Sequence, residues 1–144
     1  FSYIDAEFDS YTAEIANPNN PTTPYAKAID KGNKIPGVAK NQAFTRIAWQ
    51  PEQGFQAGLE ARYMDKIYVD DINSDTAPSY TVLAANVGYL WVNRDWKVNS
   101  YARVDNLFDR NYVGSVIVND GNSRFFEPVD GRNFSVGMSV TKAF

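Results

Sequence analysis

The sequence predicts an all-β fold, an antiparallel up-and-down transmembrane β-barrel, on the basis of three observations. Segments of alternating apolar and polar residues recur six times along the 144 residues. Tight turns alternate with longer polar connections, as they do when antiparallel strands follow one another in a sheet. All three tryptophans lie at tight-turn ends of these segments. A strand has a period of two, and a tilted strand of about 9–11 residues crosses a bilayer.

The closing segment shows the alternation most clearly. Phe134, Val136, Met138, Val140 and Phe144 have one parity, and the other parity carries small or polar residues. Such a segment is a strand with one apolar face. It has the length of a membrane-spanning strand and ends at an aromatic residue.

The remaining segments are predicted in order along the chain. Strands are expected over 1–11, 41–50, 55–64, 80–91 and 96–108, with the closing strand over 133–144. Residues 12–40 and 113–132 are rich in Asn, Pro, Gly and Thr, which predicts loops. Within the second loop, an Asn-Asp-Gly-Asn sequence at 119–122 predicts a small hairpin between 116–118 and 125–126.

Large aromatic residues mark one end of the predicted strands. Trp49, Phe55, Trp91, Trp96 and Phe144 lie at the tight-turn ends and have the apolar parity. A ring with an apolar body and a polar edge is typical of a membrane–water interface. We therefore expect these residues to form the aromatic girdle of an outer-membrane barrel.

The opposite face carries charged residues, among them Glu60, Arg62 and Arg103. This composition suits a water-filled or plugged lumen, and it equally suits the exterior of a soluble protein. A soluble β-barrel binding module with an apolar interior is therefore an alternative at this stage. The two interpretations differ in the environment of the apolar face, which is lipid in a membrane barrel and protein interior in a soluble module.

Composition excludes several classes of function. The net charge is −3 with no basic stripe, which argues against a nucleic-acid partner. The chain has no His and no Cys, and no nucleophile–base pair is evident, so neither a catalytic site nor a cofactor is expected. Asp71, Asn73 and Asp75 have the spacing of a calcium loop without its Gly or Glu, so a polar turn is predicted there and no metal site. Asp109 is expected to accept from turn amides.

Three motifs near the C-terminus carry a family resemblance. The sequence NLFDRNYVG at 106–114, FFEP at 125–128 and GRN at 131–133 precede the alternating strand that ends in Phe144. In this order and spacing they resemble the C-terminus of TonB-dependent outer-membrane receptors. The sequence IPGVAK at 35–40 resembles a proline-containing strand entry of the same family, with Ala39 where proline is more usual.

The resemblance implies a receptor of the bacterial outer membrane. Such receptors are 22-stranded barrels, plugged by an N-terminal domain, that import ferric siderophores or similar scarce nutrients with energy relayed by TonB. Residues 1–144 would be the last six strands, without the plug and the earlier strands. The resemblance further implies lipid contact, extracellular long loops and a C-terminal strand presented to the barrel assembly machinery. It implies no enzymatic activity.

Ligand contacts are expected in or beside the last loop. Tyr112, Arg124, Phe125 and Phe126 are candidates to stack on or pair with an anionic iron chelate. In the alternative interpretation, the two phenylalanines pack a loop hairpin. A passive porin-like or adhesin-like barrel fragment is a further alternative for function. A six-stranded piece leaves open strand edges, through which the isolated fragment is expected to self-associate.

Overall fold

The computed structural model describes residues 1–17 and 19–142, and this part of the chain is all-β. Within it, no helix is long and apolar enough to span a membrane. The chain forms two compact units. The loop unit comprises Phe1–Gln42, Met64–Tyr80 and Tyr112–Val129, and the sheet unit comprises Ala43–Tyr63, Thr81–Asn111 and the segment from Asp130 onward.

The strands vary widely in length, and the long ones match the length needed to cross a bilayer. In chain order the strands of the described residues are β1 (Ser2–Tyr3), β2 (Tyr11–Asn17), β3 (Asn20–Ile29), β4 (Asn41–Trp49), β5 (Gly54–Met64), β6 (Ile67–Tyr68), β7 (Thr76–Ala77), β8 (Tyr80–Asn93), β9 (Trp96–Asp105), β10 (Val113–Val116), β11 (Phe126–Pro128) and β12 (Asn133–Lys142). Strands β4, β5, β8, β9 and β12 have 9, 11, 14, 10 and 10 residues. A tilted strand needs about 9–11 residues to cross a bilayer.

Six strands form one antiparallel sheet in the order β1-β4-β5-β8-β9-β12. These strands correspond in order to the six predicted segments, so the all-β, antiparallel up-and-down prediction is confirmed. The β4–β5 and β8–β9 connections are tight turns, and Arg94 in the second turn has φ +48°. The other connections along the sheet order are long, as the alternation of short and long linkers predicted.

The register across β8, β9 and β12 keeps paired residues on a common face. Val87 pairs with Ala102, which pairs with Val136 on the other side of β9. One residue further along, Arg103 pairs with Asn86 and Ser135. Directly paired residues share a face and neighbours along a strand alternate, so the row through Val136 and the row through Arg103 lie on opposite faces.

The predicted first strand and first loop differ from the structure. Only two residues of the 1–11 segment join the sheet. Irregular main-chain bonds follow, from Ile4 N to Lys40 O (2.9 Å) and from Phe8 N to Asn33 O (2.8 Å). The prediction of a loop throughout 12–40 is wrong, because β2 and β3 form an antiparallel hairpin. A two-stranded ribbon has two open edges, so the prolines at 21 and 24 can lack an N–H without interrupting an inner ladder.

The small hairpin predicted within residues 113–132 is confirmed. Strand β10 pairs with β11, and Ile117 N donates to Phe125 O at 2.9 Å as the two chains approach the turn. The paired region extends further from the turn than predicted, to Val113 and Pro128. The connection between β5 and β8 contains the short β6–β7 pair.

Main-chain bonds around Val69 brace the loop unit. Val69 is fully buried, its O accepts from Asn119 N at 3.0 Å, and its N donates to Asp75 O at 3.2 Å. Its neighbour Tyr68 accepts through its carbonyl from Gly37 N at 3.0 Å. All three long connections are therefore joined to each other by backbone groups near one buried side chain.

Candidate functional site

The apolar face of the sheet unit is exposed rather than buried. Val136, Phe134 and Met138 on β12 are 81%, 74% and 70% exposed, and Leu59 on β5 is 46% exposed. A monomeric protein in water rarely leaves so large a contiguous apolar surface uncovered. These side chains do not form the dry protein interior that a soluble barrel requires.

The predicted girdle residues lie at strand ends on this exposed surface. Trp49 ends β4, Phe55 is the second residue of β5, and Trp96 begins β9. Trp91 lies two residues before the end of β8, and all four rings are exposed. Phe144, the fifth predicted girdle residue, lies outside the described residues. The position of the four rings beside the tight turns agrees with the prediction, and their interfacial role stays a prediction.

An ion-pair network lies on the opposite, polar face of the sheet unit. Arg103 Nη2 contacts Glu60 Oε2 at 2.8 Å and Asp105 Oδ1 at 2.7 Å, and Arg46 Nε lies 3.6 Å from Glu60 Oε1. The network joins β4, β5 and β9 and so crosses β8. The Glu60 side chain is only 18% exposed, so its charge needs these partners. Charge-assisted pairs of this kind stabilise the sheet across three of its strands, on the face that carries polar residues.

Tyr101 covers glycines on the same polar face. The register places Gly88 and Gly137 directly beside Tyr101 on the two neighbouring strands. A Cβ added to Gly137 would lie 2.5 Å from Tyr101 Cε1, which no side chain could occupy without a shift. The Tyr101 ring therefore occupies the space that a side chain at position 137 would need, so this position requires glycine.

The structure does not bring the four predicted ligand residues together. Tyr112 packs on Tyr80, with ring centroids 4.3 Å apart, and Arg124 is exposed with its backbone N bonded to an aspartate of the adjacent turn. Phe125 and Phe126 make an edge contact at 6.4 Å beside the β10–β11 hairpin. Of the four, Phe125 lines the large cavity of the loop unit.

That cavity has a volume of about 430 Å³ and lies among the β2–β3 hairpin, the turn at 70–72 and the turn at 119–125. Its walls carry acidic, aromatic and amide groups. The lining side chains with charge or rings are Tyr11, Glu14, Tyr25, Lys27, Asp70, Asp71, Asp120 and Phe125. No group of three or more acidic side chains positioned to hold a metal ion occurs in the described part of the chain.

Sequence reasoning missed most of this cavity. The hairpin that supplies Tyr11, Tyr25 and Lys27 was predicted as loop, so its side chains could not be assigned to a surface. Two sequence signals fell on the cavity: Phe125, predicted as a ligand contact, and the acidic spacing that begins at Asp71, which was interpreted as a polar turn. That interpretation is confirmed: Asn73 has φ +53°, and its side-chain amide accepts from Lys34 N at 2.7 Å and donates to Lys34 O at 2.8 Å.

The Asn-Leu-Phe-Asp motif forms a second capped turn, in the sheet unit. Asn106 is 4% exposed; its amide accepts from Arg110 N at 2.9 Å and donates to Arg110 O at 2.8 Å. Asp109 Oδ1 accepts from Arg132 N at 2.8 Å. Asp109 thus satisfies a backbone amide, but that amide belongs to the residue before β12 and not to its own turn as predicted, and the motif links the end of β9 to the start of β12.

A cluster of charges joins the ends of the first connection within the loop unit. Asp5 Oδ1 lies 2.8 Å from Lys34 Nζ, Asp5 Oδ2 lies 2.9 Å from Lys40 Nζ, and Lys34 also pairs with Glu7. The bonds from Lys34 and then Lys40 lower the pKa of Asp5 to about 2. The same bonds from Asp5 and Glu7 raise the pKa of Lys34 above its ordinary value.

Comparisons with known proteins agree with this architecture. The family described as TonB dependent receptor-like, beta-barrel matches residues 1–107. The siderophore receptor PiuA from Acinetobacter baumannii is 26% identical with a TM-score of 0.65, over 81% of this chain and 16% of that chain. BauA, the ferric preacinetobactin receptor from Acinetobacter baumannii, is 21% identical with a TM-score of 0.61, over 76% of this chain and 16% of that chain.

The ferric citrate transporter FecA, in its unliganded form, is 18% identical with a TM-score of 0.65, over 83% of this chain and 20% of that chain. The chain thus spans between 16% and 20% of the length of these receptors. The family match covers most of the chain, and the fold, the exposed apolar face and the polar opposite face agree with it. The chain therefore belongs to the TonB-dependent receptor β-barrels, which are transport receptors, and not enzymes, of the outer membrane of Gram-negative bacteria.

Proposed function

We propose that this chain forms barrel wall and extracellular loops of a receptor that imports a ferric siderophore or a similar scarce nutrient, energised through TonB. The observation that carries the proposal is the sheet with one exposed apolar face and one ion-paired polar face, in a chain of this family. The similarity to PiuA, described as a siderophore receptor, favours a siderophore over other nutrients.

We further propose that residues 1–144 are the C-terminal part of the barrel and supply the last six of 22 strands. Support comes from the small share of each related receptor that the chain covers and from the C-terminal motifs. The N-terminal plug, which would contact TonB, would then belong to the rest of the receptor. Strand β12 ends the sheet order, so its outer edge is available to the barrel assembly machinery or, in an isolated fragment, to another copy.

Among the four residues expected to contact ligand, Phe125 is the one that we retain as a ligand contact. It lines the cavity of the loop unit, whereas Tyr112 has Tyr80 as its ring partner. The four described aromatic residues at the strand ends are proposed to form the membrane girdle.

Uptake of iron by cells tests the proposed function. A strain that lacks the full-length gene is compared with the complemented strain for growth under iron limitation and for uptake of iron-55 supplied as siderophore from a culture of the same organism. We expect both to fall on deletion and to be restored by complementation only in cells with functional TonB. Equal uptake with and without the gene, or restoration that is independent of TonB, would contradict the proposal.

A further inference from the structure

The cavity of the loop unit has an excess of negative charge. Four of its lining side chains are acidic, Glu14, Asp70, Asp71 and Asp120, and Lys27 is the cation among the described lining residues. No ion pair of Lys27 with any of these acids occurs in the described part of the chain. A guest with a negative charge would therefore meet net repulsion at this surface.

Two of the four acids are already occupied by their own turns. Asp70 accepts from Ser74 N at 2.8 Å and from the Ser74 hydroxyl. Asp120 Oδ2 accepts from Arg124 N at 2.7 Å and from Asn122 N at 3.3 Å. These carboxylates shape the cavity wall, and their charge is partly compensated by backbone dipoles.

Asp71 differs from them. The residue is 9% exposed, and its backbone is held on both sides, by Asn119 Oδ1 accepting from Asp71 N and by Asn33 Nδ2 donating to Asp71 O. Its carboxylate has no hydrogen bond or ion pair with any of residues 1–17 and 19–142. Asp71 lines the cavity, so a cationic donor held there would form a charge-assisted hydrogen bond with a carboxylate that has no competing partner among the described residues.

Aromatic rings complete the walls. Tyr11 and Tyr25 come from the two strands of the β2–β3 hairpin, and Phe125 comes from the last loop. Tyr11 is held by stacking on Phe8, with ring centroids 5.2 Å apart. Ring faces attract cations and also stack on aromatic groups. The absence of a metal-holding group among the described residues disfavours a bare metal ion as the guest.

We propose that this cavity binds a ligand group that combines a protonated amine with an aromatic ring, with Asp71 as the residue that accepts from the ammonium. The inference rests on the proposed function in one respect: the cavity serves ligand capture only if the loop unit belongs to an import receptor. It specifies the charge of the recognised group as positive, opposite to the anionic chelate expected from the sequence.

Binding of a matched pair of small probes to the purified full-length receptor tests the proposal. Tyramine carries an aromatic ring and an ammonium, and tyrosol carries a hydroxyl in place of the ammonium. Equilibrium dialysis against detergent-matched buffer gives the dissociation constant of each. We expect tyramine to bind about tenfold more tightly than tyrosol, as one hydrogen bond to a charged group provides.

Two variants with the same change in charge complete the experiment. Asp71→Asn removes the unpaired carboxylate but leaves both backbone bonds, and we expect it to bring tyramine binding down to the level of tyrosol. Asp9→Asn is the control, because Asp9 lies in the same unit, pairs with Lys31 and does not line the cavity. It should leave tyramine binding unchanged.

Absence of saturable tyramine binding, equal binding of the two probes by the wild-type receptor, or equal loss in both variants would overturn the proposal. The comparison of probes on the wild type needs no variant to fold. Iron uptake is a separate readout: a receptor that binds tyramine through Asp71 but imports no iron would keep this inference and lose the proposed function.

Discussion

A positive charge in the middle of the apolar face gives the sharpest test of its surroundings. We consider Val136→Arg in the full-length receptor. Val136 is 81% exposed and lies in a row with Ala102 and Val87. If this row faces lipid, the substitution places a guanidinium in hydrocarbon. If it faces water, the substitution changes an exposed side chain that has few contacts.

The register sets the depth of Val136. Lys142 pairs with Trp96, which lies at the predicted interface, and Val136 precedes Lys142 by six residues on the same strand. At about 3.3 Å per residue and a tilt of about 45°, Val136 lies about 14 Å from that level, close to the middle of an apolar band about 25 Å tall. The expected cost is therefore about 2–4 kcal/mol in the free energy of unfolding.

Val140→Arg is the matched control. Val140 has the same parity, is 53% exposed and lies two residues from Lys142, about 5 Å below the aromatic level on the same geometry. Its expected cost is about 0–1 kcal/mol, because an arginine near the interface reaches water. Both variants are compared with wild type by tryptophan fluorescence during guanidinium unfolding from phospholipid vesicles.

A gradient of cost with depth is the signature of a bilayer. In water both substitutions would fall within about 0.5 kcal/mol of wild type. Equal values for the two variants, whether near zero or both large, would refute the assignment of this face to lipid. The comparison does not depend on the absolute stability of the receptor.

Three further predictions concern the polar face and the loop unit. Glu60→Gln should lower the free energy of unfolding by about 1–2 kcal/mol. A double-mutant cycle with Arg103→Gln should give a coupling energy well above zero, and additive losses in the double variant would contradict a direct pair. Gly137→Ala should cost about 1–3 kcal/mol because its methyl meets the Tyr101 ring, and Tyr101→Ala in the same chain should remove most of that cost in the same unfolding assay. The stabilisation from Asp5 is present above the ordinary carboxyl pKa of 3.8 and is lost as pH falls through about 2, so amide-exchange protection of the loop unit should decrease over that range. Asp5→Asn should flatten this dependence of protection on pH. A dependence on pH that is the same in the variant and the wild type would exclude this ion pair as the cause.

The sheet could be predicted from sequence because its two faces have different solvents. Alternation in 55–64 and 133–144 defines both the strands and their faces, and a register slip by one residue would exchange the faces. One of the predicted tight turns, the Pro-Glu-Gln-Gly sequence at 51–54, and the Asn-Asp-Gly-Asn sequence at 119–122 indicate the neighbouring hairpins through local turn chemistry. These signals are local, so a single sequence contains them.

The loop unit was harder to predict because its order comes from distant contacts. Strand β3 contains two prolines, which indicate a loop unless the partner strand is known to pair at an open edge. The burial of Asp71 depends on Asn33 and Asn119, residues 38 and 48 positions away. The spacing of these residues in the sequence does not indicate that they are in contact. The cavity and its unpaired carboxylate therefore could not be predicted from the sequence.

The bracing of the three long connections around Val69 has a consequence for how such receptors diversify. The bonds at Gly37, Tyr68, Asn119 and Val69 join main-chain atoms, so they do not depend on the side chains at the tips of the loops, although Gly37, at φ +77°, itself requires a glycine. Mutations at the hairpin tips can therefore accumulate without loosening the framework beneath them. In the receptor function proposed above, the loop tips would then change the groups that they present to a ligand while the same main-chain framework is retained.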